Sequence, residues 1–107
     1  MSSSLAVPRR IDKTIERIAR ARAHARTASK SRRRKKAIRQ LRSTRAALEA
    51  LQTRTIDGTL PALDVLEVAL EAVETALKKF MKKRPRRRRL RKLAKRLGRA
   101  QEALDDL

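Results

Sequence analysis

Apolar residues in the second half of the chain recur at alternating steps of three and four residues. That spacing places them on one face of an α-helix, because an α-helix completes a turn in about 3.6 residues. The pattern predicts two amphipathic helices, over residues 60–83 and 85–107. Their apolar stripes are Leu63, Leu66, Leu70, Val73, Leu77 and Phe80 in the first helix, and Leu90, Leu93, Leu97, Ala100, Leu104 and Leu107 in the second.

The first half of the chain has weaker apolar stripes, one near each end. Between them, residues 19–36 contain alanine but no large apolar residue, so they offer little surface to bury. We therefore predict one long helix over residues 8–53, with residues 19–36 projecting from the protein. The residues before about Arg34 are expected to become ordered only when a partner binds. The two stripes consist of Ile11, Ile15 and Ile18, and of Ile38, Leu41, Leu48 and Leu51.

Turn signals separate the three predicted helices. The segment Arg54–Gly58 is expected to be a loop because it ends in Asp-Gly. Thr59 is placed to cap the second helix, with Pro61 early in it, and Pro85 marks the first turn of the third. Few glycine, β-branched and aromatic residues make an all-β fold improbable. We expect an all-α fold, a single domain over residues 1–107 that forms a three-helix bundle with a long, basic, projecting first helix.

The chain is strongly basic, with 31 Lys and Arg against 11 Asp and Glu and a net charge of +20. Residues 1–55 carry a net charge of +14, residues 56–77 of −5 and residues 78–107 of +11. Like charges destabilise a compact chain through mutual repulsion, so a polyanionic partner is expected.

Several residue types that enzymes and metal sites need are absent or rare. The chain has no Cys and only one His, His24, which argues against a thiolate or histidine metal site and a Ser-His-Asp triad. It has no Trp or Tyr and one Phe, so it lacks the aromatic side chains on which single-stranded bases stack. We expect no catalysis, no cofactor, no metal and no small-molecule substrate.

The candidate binding residues lie in the two basic segments. On a helix, the run from Lys30 to Lys36 surrounds the whole cylinder, and the run from Lys82 to Lys92 spans the junction of the second and third helices. Without aromatic residues, such cations contact phosphate and sugar and read shape rather than sequence. The predicted contacts are Arg9, Arg10, Lys13, Arg17, Arg20, Arg22, Arg26, Lys30, Ser31, Arg32, Arg33, Arg34, Lys35, Lys36, Arg39, Lys82, Lys83, Arg84, Arg86, Arg87, Arg88, Arg89, Lys92 and Lys95.

Other conspicuous residues have simpler interpretations. We expect His24 to be a nucleic-acid contact or a bystander, and Phe80 and Met81 to be core residues at the turn between helices. The acidic residues of the middle segment are expected to face solvent or to pair with Arg of the first helix, rather than to bind a metal. These acids are Asp64, Glu67, Glu71 and Glu74.

Three short motifs carry a family resemblance. They are Lys30-Ser31-Arg32, Ala46-Ala47-Leu48-Glu49-Ala50 and the basic stretch from Met81 to Leu97. In this order and with this charge layout, the chain resembles the bacterial small-subunit ribosomal protein S-twenty family. In the last motif, the basic positions of the family correspond to Lys83, Arg88 and Lys92, followed by its leucine at Leu93.

The sequence also departs from this family. Lys82 and Arg84 stand where the family favours His and Asn, and Pro85 replaces a small residue. Lys79-Phe80 takes the place of the usual Lys-Gly turn.

The resemblance implies a three-helix bundle that binds small-subunit ribosomal RNA directly and clamps rRNA helices during subunit assembly. Its partners would be this rRNA and, only peripherally, other small-subunit proteins, in the cytoplasm. An organellar ribosome is the less favoured location, although residues 1–36 have the Arg, Ser and Ala of a presequence. The alternative is a histone-like, sequence-nonspecific DNA-compacting protein, which the same charge would serve. A membrane partner is not expected, because no stretch approaches the roughly 18 apolar residues of a membrane span.

Overall fold

The computed structural model describes the backbone of residues 3–107 and the side chains from Ala6 onwards. These residues form four α-helices and no strand: α1 (Ser3–Arg26), α2 (Arg32–Asp57), α3 (Leu63–Met81) and α4 (Arg87–Asp105). Helix α1 packs against α2 and α3, and α4 packs against the same two helices. The pairs α1 with α4 and α2 with α3 therefore lie across the diagonals of a four-helix bundle. The all-α prediction is confirmed, and the prediction of three helices is wrong.

The core is a set of heptad-like stripes, one on each helix. Their residues recur at steps of three and four, the pattern of antiparallel bundles whose side chains interlock. Large aliphatic side chains fill the stripes of α3 and α4, as predicted, and of the C-terminal half of α2. The exception is Leu63 at the start of α3, which is 41% exposed, so its predicted place in the stripe is wrong. The stripes are Val7, Ile11, Thr14, Ile18, Ala21 and Ala25 on α1, Ala37, Leu41, Thr44, Leu48 and Leu51 on α2, Leu66, Leu70, Val73, Leu77 and Phe80 on α3, and Leu90, Leu93, Leu97, Ala100 and Leu104 on α4.

The predicted long first helix is broken by a turn over residues 27–31. The Thr27 hydroxyl donates a hydrogen bond of 2.7 Å to the His24 carbonyl oxygen and so satisfies one of the free carbonyls at the end of α1. Ser31 is the N-cap of α2, with extended backbone and its hydroxyl oxygen 3.1 Å from the Arg34 backbone N–H. Hydroxyl side chains favour such caps over helix interiors. The chain therefore reverses here instead of continuing straight.

Residues 19–36 pack within the bundle, so the prediction that they project from the protein is wrong. Ala21, Ala25 and Ala37 are fully buried, and Ala28 packs against the core. An alanine stripe has little apolar surface, but it lets two helix backbones approach closely and loses no side-chain entropy on burial. Close packing of α1 on α2 thus replaces the large side chains that this segment lacks.

The other helix boundaries differ from the prediction by a few residues. Helix α2 continues through most of the predicted loop and ends at Gly58, whose φ of 71° is left-handed. The backbone N–H of Thr59 bonds to the Arg54 carbonyl oxygen at 2.9 Å, as in a Schellman cap. Helix α3 begins only at Leu63, with Ala62 as its N-cap residue, so the predicted capping role of Thr59 is wrong. Among the described residues, no helix has the length and hydropathy of a membrane span.

Candidate nucleic-acid interface

Two stretches of the chain contain no acidic residue and most of its cations. Residues 17–48 and 75–101 together hold 27 of the 31 Lys and Arg residues. The first stretch covers the turn between α1 and α2, and the second covers the turn between α3 and α4. Each hairpin of the bundle therefore carries its positive charge around its turn.

The two turns lie side by side at one end of the bundle. The His24 Nε2–H at the end of α1 donates a hydrogen bond of 2.8 Å to the carbonyl oxygen of Lys83, just after α3. The His24 ring also meets the Phe80 ring edge-on, with 5.2 Å between the ring centroids. We call this end, comprising residues 20–45 and 78–99, the basic tip. His24 thus has a structural role, and the acid-free stretches come together in space.

The acidic residues collect away from the basic tip. The Arg54 guanidinium donates a hydrogen bond of 2.9 Å to the carbonyl oxygen of Leu107, which places the end of α2 beside the C-terminus. The bundle is 45 Å long and 22 by 19 Å across, so charge is separated along its long axis. The acids at or near the far end are Asp57, Asp64, Glu102, Asp105 and Asp106.

The α3–α4 groove is the most cationic depression of the basic tip. Its floor is apolar, formed by Ala76, Phe80 and Leu93, and its walls carry Lys and Arg only. Such a groove suits a chain of phosphates, because each phosphate meets cations on both sides. The cations are Lys79, Lys82, Lys83, Arg88, Arg89, Lys92 and Arg96.

Two further depressions continue from this groove. The tip cleft lies between the two turns and is lined by residues 27–31 and 84–87 with Leu90. The α1–α2 groove shares Lys30 and Ser31 with the tip cleft and runs from Arg26, the last residue of α1, along the first half of α2. Its other cations are Arg26, Arg34, Lys35, Arg39 and Arg42.

Four arginines beside the α1–α2 groove repel one another. The pKa of Arg22 is lowered, first by loss of solvent around it and then by the charges of Arg26, Arg42 and Arg45. The Nε–H groups of Arg22 and Arg45 are buried without a hydrogen-bond partner among the described residues, and Arg45 Nε lies 3.8 Å from the Glu49 carboxylate in an ion pair. An anion placed here would relieve the repulsion and accept these hydrogen bonds.

Several predicted contacts lie outside the three depressions. Arg10 donates two hydrogen bonds of 3.0 and 3.1 Å from Nε and one of 2.6 Å from Nη2 to the Glu74 carboxylate, which raises the pKa of Arg10. Arg17 reaches the same carboxylate at 4.0 Å. Arg10 is therefore engaged within the protein, and the expected pairing of a middle acid with the first helix is present. The predicted residues that are exposed outside the depressions are Arg9, Lys13, Arg32, Arg33, Lys36 and Lys95, while Arg20 lies beside Arg17 on the α1–α3 side.

Two arginines in the depressions also support the fold. Arg34 donates a hydrogen bond of 2.9 Å from Nη1 to the Ala28 carbonyl oxygen and so closes the turn between α1 and α2. Arg89 donates from Nη2 to the carbonyl oxygens of Lys79 and Phe80 at the end of α3. Phe80 is buried as predicted, whereas Met81 is 40% exposed, so its predicted core position is wrong.

The predicted contacts omit four cations that the structure groups with the site. Lys79 and Arg96 line the α3–α4 groove, Arg42 lines the α1–α2 groove, and Arg45 belongs to the repelling arginines. Their spacing along the helices would have predicted them. Arg42 lies three residues after Arg39, and Arg96 lies four after Lys92, so each shares a face with a predicted contact.

Within the described residues, no cluster of His, Cys, Asp and Glu is arranged to hold a metal ion. No protein-family model, curated protein or solved structure matches this chain. What it binds therefore has to be inferred from its own residues.

Proposed function

We propose that this chain is a structural RNA-binding protein that contacts small-subunit ribosomal RNA directly through its phosphates. The observation that carries the proposal is the basic tip, where two acid-free hairpin ends meet and three cationic depressions join. A surface of this kind binds a polyanion mainly by counterion release, and its lack of aromatic residues leaves phosphate and sugar as the groups to contact.

The family resemblance supports rRNA over other polyanions. The three basic residues that correspond to the S-twenty family, Lys83, Arg88 and Lys92, all line the α3–α4 groove. The motif Lys30-Ser31-Arg32 stands at the turn between α1 and α2, where Lys30 and Ser31 line the tip cleft. The four-helix fold departs from the three helices that the resemblance implies. The proposal therefore keeps the RNA ligand and the assembly role, in which the protein holds rRNA segments together.

The proposal is tested by measuring affinity for small-subunit rRNA fragments over a range of salt concentrations. Each neutralised phosphate contributes about 0.7–0.9 to the slope of log affinity against log salt, so six contacts give a slope of about −4 to −5. Arg88→Gln with Lys92→Gln should weaken binding and flatten this slope. The matched control is Arg91→Gln with Arg99→Gln, which removes the same charge from exposed positions of the same helix outside the α3–α4 groove and should change affinity far less.

Duplex DNA and long-chain inorganic polyphosphate are the competitors that decide the ligand class. Each is added at equal phosphate concentration, and the nucleic acid that co-purifies with the protein from cells is sequenced. rRNA should be retained against both competitors and should dominate the co-purified material. Equal or tighter binding of duplex DNA with co-purified DNA would instead establish the DNA-compacting alternative. Preferential binding of polyphosphate would contradict both nucleic-acid functions.

A further inference from the structure

The three depressions of the basic tip follow one another through lining residues that are shared or adjacent in the chain. The α1–α2 groove and the tip cleft share Lys30 and Ser31. The tip cleft ends with Arg84 and Arg87, and the α3–α4 groove begins at their chain neighbours Lys83 and Arg88. A ligand that follows the cations thus moves from one groove over the two turns into the other.

The two grooves at the ends of this path face away from each other. Helix α1 packs on α2 and α3, and α4 packs on the same two helices, so the α1–α2 side and the α3–α4 side are opposite faces of the bundle. The bundle is only 22 by 19 Å in cross-section. A ligand that occupies both grooves must therefore turn back on itself over a distance of about two helix diameters.

Stiffness separates the nucleic acids that are able to make this turn. Duplex DNA has a persistence length of about 50 nm, so it resists a reversal of direction over a distance as short as the width of this bundle. A single strand bends without disrupting base pairs. With no Trp or Tyr in the chain to stack on, its phosphates would face the protein and its bases the solvent.

Both ends of the path carry an excess of positive charge. At one end, Arg22 has a buried Nε–H group without a hydrogen-bond partner among the described residues, beside Arg26 and Arg42 of the α1–α2 groove. At the other end, the walls of the α3–α4 groove carry cations and no acid. A ligand in only one groove would leave the other end unneutralised.

We infer that a single-stranded RNA segment straddles the basic tip, running from the α1–α2 groove through the tip cleft into the α3–α4 groove. This inference rests on the proposed function and deepens it, because it states which form of RNA is bound. The protein would hold the unpaired junction between two rRNA helices and not lie along either helix.

The test uses the full chain with oligouridine strands of increasing length and with RNA duplexes of the same phosphate number. Affinity for the single strand should rise with length until one strand spans both grooves and saturate there with one RNA per protein. Two variants report on the two ends of the path: Arg39→Gln with Arg42→Gln, and Lys92→Gln with Arg96→Gln. Each variant should reduce the magnitude of the slope of log affinity against log salt for the long strand by about 1.4, because each lost single-strand contact contributes about 0.7 to that slope.

The possible failures of this experiment are distinguishable. Two strands per protein, a duplex that binds as tightly as the single strand, or a slope that responds to only one variant pair would overturn the straddling path. RNA binding itself would still stand in those cases. Absent or salt-independent binding of every RNA would overturn both the path and the proposed function. The control variant Arg91→Gln with Arg99→Gln removes the same charge from exposed positions of α4 that line none of the three depressions, so it should change the slope less than either path variant. Circular dichroism checks that each variant is folded.

Discussion

His24 and Lys83 lie 59 residues apart in the chain and are joined by a hydrogen bond of 2.8 Å between the His24 Nε2–H and the Lys83 carbonyl oxygen. This bond ties the end of α1 to the turn after α3, so it helps to hold the two basic turns together against the repulsion of their charges. The edge-on contact of His24 with Phe80 anchors the same junction to the core.

His24→Ala should lower the free energy of unfolding by about 1–2 kcal/mol, since it removes one hydrogen bond and one aromatic contact. His24→Phe keeps a ring beside Phe80 but lacks the N–H, so its stability should lie between those of His24→Ala and the wild type. Urea denaturation measures both variants. Wild-type stability of His24→Phe would mean that the hydrogen bond to Lys83 contributes nothing.

Arg88 and Arg89 are neighbours in the chain, but substitution of Arg89 should lower stability whereas substitution of Arg88 should lower RNA affinity. Arg89→Gln removes the hydrogen bonds to the Lys79 and Phe80 carbonyl oxygens and should cost about 1–2 kcal/mol of stability. Arg88→Gln removes an exposed groove cation and should lower RNA affinity at unchanged melting temperature. Equal melting temperatures of the two variants would contradict the structural role of Arg89.

Glu74→Gln should destabilise the bundle, because the Glu74 carboxylate accepts hydrogen bonds from the Arg10 side chain across α1 and α3. A double-mutant cycle with Arg10→Gln should give a coupling energy of about 0.5–1.5 kcal/mol, since the pair is only partly shielded from solvent. Glu71→Gln is the matched control, as Glu71 is exposed one helical turn away. A coupling energy of zero would show that solvent screens the pair completely.

Ala25→Leu should destabilise the protein by about 1–3 kcal/mol, because the larger side chain has no space in the close contact of α1 with the bundle. Ala23→Leu, on the exposed side of the same helix, should stay within about 0.5 kcal/mol of the wild type. Thermal melts of the two variants decide whether α1 is packed or projecting. Equal melting temperatures would contradict the packing of α1 and favour the projecting helix that the sequence pattern predicts.

Leu70→Ala should cost about 2–5 kcal/mol, since Leu70 is fully buried in the middle of α3 and its truncation leaves a cavity. Val68 on the same helix is 69% exposed, and Val68→Ala should have a small effect. Chemical denaturation measures the free energy of unfolding of both variants. A small effect of Leu70→Ala would mean that the α3 stripe does not form the core.

Helices α3 and α4 were predictable because their stripes consist of large aliphatic residues, whose burial dominates the local choice of structure. The stripe of α1 has the same spacing but includes Thr14 and ends in Ala21 and Ala25. Alanine occurs both on exposed helix faces and in close helix–helix contacts, so the spacing of these residues alone does not predict that α1 is packed. The turn at residues 27–31 depends on caps from Thr27 and Ser31, which are weak local signals beside a long run of helix-forming residues.

The helical class and the excess of positive charge follow from residue types and their local spacing alone. Which cations lie together in space depends on the tertiary fold. Arg26 and Lys30 reach the same end of the molecule as Lys83 and Arg88 because α1 folds back on α2 and His24 meets the turn after α3. Arg10 has the same charge but forms an ion pair with Glu74. A side chain's charge is set by its chemistry, but its partner is set by contacts between residues that are distant in the chain.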